Sequence, residues 1–489
     1  MNVTTVELPR EKWLNFVNGD WVPGSGGFID VQDPATGEVV ARHACASADD
    51  IDEAVRAAQT CHASGALRDL APVERGRMVK RMGKYLLDHR DEIAYVLCID
   101  SGKPGWEARM EVESSARLFE YFGNLADSLE GLSIPLGRDY FDFTVYEPYG
   151  VTAHIIPWNY PLDTVARSVA PALVAGNTCV VKTPELDPLA ASYIASAARH
   201  VGLPAGALNL LCGLGHEAGA ALSAHPQVNQ VVFTGSVLTG VAVATAAAKN
   251  VVPCVLELGG KSAAVVFDDA HIDTVVDDVR SGTFLNAGQV CSALARLVVH
   301  RSIYDEVVAR VVAMAEQLEV GPGVDFPEFG ASMGAMISEP QRDKAEAMCQ
   351  QALKDGATLA TGGVRLQRDG YFFAPTVITG VIPDMEIAQQ EVFGPVLAVI
   401  PFDTEDEAIE IANGTEYGLV AGVYTADVNR AMRAARELRA GQVFLNEWFA
   451  GSVATPFGGY GKSGYGREKG RQAIMNYVQT KNIAVAFHG

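Results

Sequence analysis

The first candidate for chemistry is a cysteine that follows a short polar run. Cys291 ends the segment Asn-Ala-Gly-Gln-Val-Cys at 286–291. A cysteine beside apolar residues is more often an inert core thiol than a nucleophile. The polar stretch before it favours the interpretation as a nucleophile, because residues such as Asn286, Gly288 and Gln289 are not expected in a packed core. Cys291 is therefore a candidate nucleophile.

A carboxylate stands where a buried strand is predicted to end. Glu257 lies in Val-Leu-Glu-Leu-Gly-Gly-Lys at 255–261. By itself it is most simply a solvent-facing group or the partner of Lys261. An apolar surround would instead disfavour its charged form, which is how a general base is poised near neutrality. A thiol and a carboxylate together make the nucleophile and base that covalent acyl chemistry requires.

Two further motifs are weaker signals. Asn159, between prolines in 156–161, is most simply a turn residue, although its amide is also suited to donate to a developing oxyanion. The glycines of 213–219 miss the dinucleotide-binding spacing by one residue. The segment 233–240 is better placed, because a predicted strand runs into glycine and hydroxyl residues at a helix start, where free N–H groups favour phosphate.

Apolar runs alternating with helical periodicity predict the elements that position these residues. The pattern is typical of an α/β fold with parallel sheets. A first series of strands is predicted at 151–156, 178–181, 207–211, 230–233 and 252–256. A second series is predicted at 263–267, 297–300, 396–402 and 442–446, with a helix at 305–318.

Three other segments carry structural predictions. Asp187 and Pro188 predict the start of a helix that runs to Gly202. Apolar residues at helical spacing from Met78 to Leu87 predict one long helix that ends at 102–104 and covers a sheet. The extended, alternating segments 140–146 and 482–487 read as exposed edge strands, which usually need a partner.

Length and charge exclude several classes of protein. A chain of 489 residues predicts two or three domains. The net charge of −21 argues against nucleic-acid and membrane partners. Residues 1–8 lack the pattern of a signal peptide, so a cytoplasmic location is expected. The eight cysteines have no metal-ligand spacing, which favours free thiols and no metal site.

Taken in order along the chain, the motifs resemble those of the aldehyde dehydrogenase superfamily. The resemblance covers nearly the whole chain and rests on PWN at 157–159, KTPE at 182–185, FTGS at 233–236, ELGGK at 257–261, GQVC at 288–291, EVFGPV at 391–396 and PFGGYGKSG at 456–464.

The resemblance implies a role for each catalytic residue. Cys291 would be the nucleophile, Glu257 the base that activates the deacylating water, and Asn159, with the Cys291 backbone N–H, the oxyanion hole. The implied reaction is oxidation of an aldehyde to an acid through a thioester. An acylating dehydrogenase that uses coenzyme A is a rival, but such relatives typically lack the base. A catalytically idle structural relative is a second rival, against which the three residues together argue.

The resemblance also implies a bound NAD. Lys182 and Glu185 would hold the adenosine ribose, Ser236 the pyrophosphate, and Glu391 with Phe393 the nicotinamide ribose. Glu185 should repel a 2′-phosphate, so NAD is expected over NADP, with Lys182 leaving NADP as a weaker alternative. The remaining implied cofactor contacts are Ile156, Trp158, Gly215, Phe233, Gly235 and Leu258.

The family fold implies a Rossmann-like cofactor domain, a second α/β domain for catalysis and a small β arm. The boundaries expected are 1–125 and 149–258 for the cofactor domain, 259–460 for the catalytic domain, and 126–148 with 461–489 for the arm and tail. A homodimer or homotetramer follows from this resemblance.

Arg167 is the residue that bears on the substrate, a small-molecule aldehyde. Relatives acting on betaine aldehyde or aminoaldehydes look to have Trp at this position, whereas succinate semialdehyde and salicylaldehyde dehydrogenases resemble this chain in having Arg. Ser452 matches a second carboxylate contact, although a further family Arg falls on Leu285. An acidic, aromatic or phenolic aldehyde is therefore expected, with betaine aldehyde or an aminoaldehyde as the alternative substrate. The simpler interpretation is that Arg167 pairs with Asp163 one helical turn earlier.

The other substrate contacts expected are Tyr160, Thr164, Phe449 and Phe457, with Trp448 completing an aromatic wall.

Overall fold

The computed structural model describes residues 12–328, 330 and 332–487 of the chain. The prediction that residues 1–8 are not a signal peptide lies outside the described residues. No helix within the described part is long and apolar enough to cross a membrane.

The first sheet has eight strands, and its five central strands are parallel. Those five are buried along nearly their whole length, as continuous apolar runs are when helices cover both faces of a parallel sheet. They confirm the first predicted series to within two residues at either end. In sheet order the strands are Gly464–Tyr465, Cys254–Glu257, Gln230–Thr234, Val151–Ile155, Thr178–Thr183, Leu208–Cys212, Asn15–Val17 and Asp20–Val22.

Helices lie around this sheet and in a separate helical layer beside it. Those near the sheet are Ala48–Ser64, Pro161–Ala175, Ser192–Val201, Ala220–Ser223, Val237–Ala248 and the short Gln472–Met475. The layer consists of Pro72–Asp88, Arg90–Ser101 and Gly105–Asn124.

The prediction of one long helix ending at 102–104 is wrong. The chain breaks at His89, whose ring nitrogen Nδ1 lies 2.9 Å from the carbonyl oxygen of Tyr85. The first of the two helices packs on other helices and not on a sheet. Glycine allows the helices Pro72–Asp88 and Gly105–Asn124 to pack closely, because a Cβ at Gly83 would lie 2.6 Å from the carbonyl oxygen of Ala116.

The helix predicted to start at Asp187 begins instead at Ser192. Asp187 is fully buried and caps nothing, and burial raises its pKa well above the usual range. The backbone N–H of Leu189 donates to the carboxylate of Asp100 at 3.0 Å, so the intervening segment is held as turns. Tertiary contacts here override a local capping signal.

The second sheet has seven strands, all parallel except for one antiparallel edge pair. It confirms the second predicted series. The strands are Thr358–Thr361, Thr376–Thr379, Val396–Phe402, Arg296–His300, Ala263–Val266, Val420–Tyr424 and Gln442–Leu445 in sheet order. The helices of this part are Ile272–Phe284, Tyr304–Glu316, Glu339–Lys354, Glu386–Gln389, Glu405–Asn413 and Val428–Glu437.

The two outlying segments are strands that pair with each other. Tyr140–Pro148 and Val478–Ala486 run antiparallel, with Thr144 opposite Asn482, and Ser133–Ile134 adds a third strand. Small sheets elsewhere join Lys12–Trp13, Val39–Ala44 and Phe28–Gln32, and Glu319–Val320 with Ser332–Met333.

The two large sheets define an α/β architecture with a separate hydrophobic core around each. The expected boundaries at 125, 149, 259 and 461 stay predictions. Within the expected tail, Gly464–Tyr465 pairs with Cys254–Glu257 and so extends the first sheet. The expected homo-oligomer stays a prediction as well.

Candidate active site

A cavity of about 450 Å³ opens where the ends of the two sheets come together. Its wall includes Cys291 and Asn159, together with Thr234 at the end of a first-sheet strand. All six residues expected to contact substrate also line it, namely Tyr160, Thr164, Arg167, Phe449, Ser452 and Phe457. The volume is that of a pocket for a small organic molecule.

The turn before Cys291 has an unusual backbone. Asn286, Ala287 and Gly288 follow one another with φ of 49°, 51° and 72°. Residues with a side chain rarely adopt this left-handed region, so surrounding contacts must hold it. A Cβ on Gly288 would lie 2.1 Å from the carbonyl oxygen of Gly394, so glycine is required there.

The polar run in this turn is buried, contrary to the reasoning that singled it out. Asn286 and Gln289 are 2% and 1% exposed. The amide of Gln289 donates to the carbonyl oxygen of Asn286 at 2.9 Å, and its own oxygen accepts from the Ile337 N–H at 2.9 Å. These amides are satisfied structural groups, and they fix the loop that presents Cys291.

Cys291 is a free thiol whose environment disfavours the thiolate. Burial raises the pKa of Cys291 to about 12, with the positive charge of Arg167 acting in the opposite direction. A Cβ on Gly260 would lie 2.5 Å from the carbonyl oxygen of Cys291, which fixes that side of the loop. All eight cysteines are free, and the described residues contain no cluster able to hold a metal ion.

Asn159 is held at both its side chain and its backbone. Its amide nitrogen Nδ2 donates to the carbonyl oxygen of Gln289 at 2.9 Å. Its own carbonyl oxygen accepts from Asn286 Nδ2 at 2.8 Å and from Lys103 Nζ at 3.1 Å. One N–H of Nδ2 is thereby used, and the other is left for a group in the cavity.

A buried charged cluster that the sequence analysis missed supports Asn159. Lys103 forms an ion pair with Glu111, both side chains being fully inaccessible, and its ammonium lies 4.4 Å from the centre of the Tyr160 ring. Glu111 also accepts from the Leu162 N–H at 3.0 Å, and Glu107 accepts from the Asn286 N–H at 2.8 Å. The only sequence signal near this cluster is Gly-Lys-Pro at 102–104, which predicts a helix end and not a charged cluster.

Glu257 ends its strand with a carboxylate that accepts no hydrogen bond from any described residue. The residue is 2% exposed, and a Cβ on Gly458 would lie 2.8 Å from its Oε1. Burial raises the pKa of Glu257 well above its usual range, the charge of Glu468 raises it further, and Arg167 opposes both. The direction of this shift agrees with that expected for a buried carboxyl, and the role of Glu257 as a base stays a prediction.

Arg167 pairs with Glu468 and not with Asp163, which corrects the simpler interpretation of this residue. The two side chains are 9% and 2% exposed. Burial lowers the pKa of Arg167, but the surrounding negative groups, Glu468 first among them, outweigh it and raise that pKa. Arg167 is therefore protonated, and the negative charge of Glu468 balances its positive charge. No sequence motif marks Glu468.

Trp448 does not form part of the aromatic wall, so that expectation is wrong. It is 3% exposed and packs against Gly282 and Gly422, and its indole N–H donates to the carbonyl oxygen of Ser292 at 3.3 Å. Its backbone N–H donates to Asp278 at 2.8 Å. Trp448 therefore anchors the loop that carries Phe449 into the cavity.

The residues expected to hold the adenosine ribose lie together. Lys182 Nζ and Glu185 Oε2 are 2.5 Å apart, and Glu185 Oε1 accepts from the Gly215 N–H at 3.2 Å. Burial raises the pKa of Glu185, but the ammonium of Lys182 outweighs it and holds the pKa below its usual range. The carboxylate is therefore charged.

Ser236 lies at the start of the helix Val237–Ala248, where its hydroxyl accepts from the Thr239 N–H at 3.2 Å. The Phe233 ring lies over Gly235, where a Cβ would be 2.6 Å from the ring. Leu258 likewise lies against Gly240, where a Cβ would be 2.5 Å away. These residues therefore surround a helix N-terminus whose first N–H groups lack partners within the helix.

The residues expected near the nicotinamide ribose meet at the junction of the sheets. Glu391 accepts from the Gly260 N–H at 2.9 Å, and burial raises the pKa of Glu391 to about 7. Phe393, at φ 57°, meets Trp158 edge to face at 5.2 Å between ring centres. Ile156 is buried beside them, its N–H donating to the Lys182 carbonyl oxygen at 3.1 Å.

Comparison with known proteins identifies the class to which this fold and site belong. The model of the "Aldehyde dehydrogenase family" matches residues 21–483, and the chain belongs to that family. A mitochondrial benzaldehyde dehydrogenase of Antirrhinum majus is 41% identical over 98% of this chain and 90% of its own length.

Solved structures agree with this assignment. The NAD+ complex of an aldehyde dehydrogenase from Bacillus cereus superposes with a TM-score of 0.95 at 37% identity, covering 98% of this chain and 97% of its own. A mutant of Staphylococcus aureus betaine aldehyde dehydrogenase bound to NAD+ has a TM-score of 0.95 at 36% identity, covering 98% of each chain. The protein is accordingly an NAD(P)-dependent aldehyde dehydrogenase.

Proposed function

We propose that this enzyme oxidises an aldehyde to a carboxylic acid through a thioester on Cys291 that water hydrolyses. One observation carries the proposal: Cys291 and Asn159 line one cavity, while Glu257 at the neighbouring strand end has a buried carboxyl that no described residue bonds. An unbonded buried carboxyl is costly, and active sites are where such groups are found.

The first step needs the Cys291 thiolate, which attacks the aldehyde carbonyl. Because burial raises the pKa of Cys291 to about 12, the proton must leave to a base as the substrate binds. The resulting oxyanion would accept hydrogen bonds from the free side-chain N–H of Asn159 and from the backbone N–H of Cys291. Asn159 is suited to this role because its other contacts already fix it.

The chain's residues fit a bound dinucleotide. The charged Glu185 is suited to a ribose hydroxyl, the helix start at Ser236 to a pyrophosphate, and Glu391 to the second ribose. When bound, the nicotinamide would accept the hydride that the aldehyde carbon must lose. The carboxylate of Glu185 would repel a 2′-phosphate, and this supports a preference for NAD over NADP.

Release of the acid needs an activated water. Glu257 would take a proton from that water as it attacks the thioester, the Cys291 sulfur would leave as a thiolate, and transfer of the proton from Glu257 would return it to the thiol. The raised pKa of Glu257 makes its carboxylate a better base than an exposed Glu. This residue favours hydrolysis over transfer of the acyl group to coenzyme A.

The cavity supports an aromatic or acidic aldehyde as substrate. Tyr160, Phe449 and Phe457 line it, and so does Lys469, whose positive charge opposes a cationic substrate. The similarity to a benzaldehyde dehydrogenase agrees with an aromatic substrate. Betaine aldehyde is the second candidate, because the aromatic side chains would also suit a quaternary ammonium group and a betaine aldehyde dehydrogenase is among the similar structures.

A panel of aldehydes tests the proposal. NADH formation should be fastest, by kcat/KM, with aromatic or carboxylate-bearing aldehydes and slower with betaine aldehyde and 4-aminobutanal. The Cys291→Ser variant is the control for the covalent route and should form NADH at least about 1,000-fold more slowly. Turnover of that variant at the wild-type rate would refute the thioester, and a cationic aldehyde as best substrate would refute the substrate class.

A further inference from the structure

The positive charge of Arg167 in the substrate cavity is already compensated. Its guanidinium is paired with Glu468, and both groups are buried. The pair uses Nε of Arg167, and a substrate carboxylate placed beside the guanidinium would be repelled by the negative charge of Glu468. Arg167 is therefore poorly placed to hold an anionic substrate.

Lys469, the next residue after Glu468, also lines the cavity. Its ammonium lies 5.6 Å from the centre of the Phe457 ring, and the Arg167 guanidinium lies 5.4 Å from the same ring. Among the described residues, no carboxylate forms an ion pair with Lys469. The residue is partly buried, so solvent screens its charge less than it would at an open surface.

The backbone at Lys469 is fixed by its neighbours. Lys469 has φ 58°, in the left-handed region that glycine adopts more easily than any residue with a side chain. Glu468 and Phe457 exchange two backbone hydrogen bonds of 2.7 Å, and the Gly470 N–H donates to the Val453 carbonyl oxygen at 2.9 Å. A side chain kept at such a position is a reason to look for function.

The remaining cavity cation is a weaker candidate. Arg117 is exposed on the helix Gly105–Asn124, and its Nε donates to the Glu113 carbonyl oxygen at 3.3 Å. Water screens an exposed charge of this kind, and a surface ion pair gains little.

We propose that Lys469, and not Arg167, holds the distal carboxylate of the substrate, so that the enzyme prefers aldehydes that carry a carboxylate away from the carbonyl group. This inference rests on the proposed function and narrows its substrate class. Phe457 would lie against the body of the substrate, while the Lys469 ammonium would donate a charge-assisted hydrogen bond to its anionic end.

The test compares two substrates of which one carries a distal carboxylate and the other its neutral methyl ester. The probes are 4-carboxybenzaldehyde and its neutral methyl ester, measured as a ratio of kcat/KM values. The wild-type ratio should exceed 1, and Lys469→Met should lower it roughly 10- to 100-fold, the range of one hydrogen bond to a charged group. Lys469→Arg keeps the charge and should retain most of the ratio.

Two controls keep the result interpretable. Lys462→Met makes the same charge change on the same segment of chain, at an exposed residue paired with Glu416, and should leave the ratio unchanged. Lys469→Gly removes the ammonium and relieves the left-handed backbone, so it should lower the ratio without lowering Tm.

The outcomes separate this inference from the proposed function. A wild-type ratio of 1 or below, or a ratio that survives Lys469→Met, would overturn the inference, and in the second case Arg167 or Arg117 would be the cation responsible. Absence of NADH formation with any aldehyde would instead overturn the proposed function.

Discussion

The buried pair of Arg167 and Glu468 gives a prediction about stability. Both side chains are almost inaccessible, so removing either partner leaves the other charge buried without compensation. Breaking a pair of this kind costs about 3–5 kcal/mol, whereas replacing both partners by apolar residues is often neutral or stabilising. Arg167→Met and Glu468→Met should each destabilise the enzyme, and the double variant should recover most of the loss.

The effect on Tm follows from the size of the chain. Unfolding entropy is about 2.1 cal/mol/K per residue, which for 489 residues gives about 1 kcal/mol/K. Each single variant should therefore lower Tm by about 3–5 °C if the subunit unfolds as one unit. The double variant should lie within about 2 °C of wild type.

Thermal unfolding of the four proteins, without cofactor and at one scan rate, measures this cycle. Lys462→Met, which breaks a pair exposed at 52% and 66%, is the control and should shift Tm by about 1 °C or less. Strictly additive shifts in the double variant would refute the reasoning, because they would mean that the two charges do not compensate each other. Unchanged Tm in both single variants would refute it as well.

Three further predictions concern the reaction. In Glu257→Gln, one NADH per active site should form in a burst and turnover should then fall at least about 100-fold, since water is no longer activated; loss of the burst itself would assign Glu257 to an earlier step. In the wild type, kcat should fall as the pH decreases, because only the carboxylate form of Glu257 is a base. The midpoint of that fall should lie above the usual pKa range of Glu, since burial raises the pKa of Glu257. A midpoint near pH 4.5 would contradict this environment. Glu185→Ser should shift the ratio of kcat/KM for NADP over NAD upward by about 10-fold or more, because the charge that repels a 2′-phosphate is removed; an unchanged ratio would assign the preference elsewhere.

Much of the fold could be predicted because its strands are buried on both faces. Continuous apolar runs such as Val396–Phe402 permit few alternatives, and the observed bounds of that strand are those predicted. The two helix predictions that were wrong concern His89, where the ring contacts the Tyr85 carbonyl oxygen one turn earlier, and Asp187, where tertiary contacts decide. Local helical periodicity and capping signals do not report that a carboxylate such as Asp187 will be buried.

The candidate site was harder to predict from the sequence than the fold, because the residues that hold its side chains in place come from distant segments of the chain. Lys103 contacts Asn159, and Arg167 pairs with Glu468, which lies some 300 residues further along the chain. No local pattern marks such a pair. The polar residues beside Cys291 do mark a segment that reaches the cavity, but the reason given for them was inaccurate, because Asn286 and Gln289 are buried groups that shape the loop. Their role became apparent only from their hydrogen bonds.

The most direct test of the mechanism is the intact mass of Glu257→Gln, quenched in acid after one turnover with NAD and 4-carboxybenzaldehyde. The thioester mechanism predicts one adduct per subunit, with the mass of the aldehyde less two hydrogens, and peptide mapping that places it on Cys291. An NADH burst without that adduct, or with the adduct on another cysteine, would contradict the assignment of Cys291 as the nucleophile.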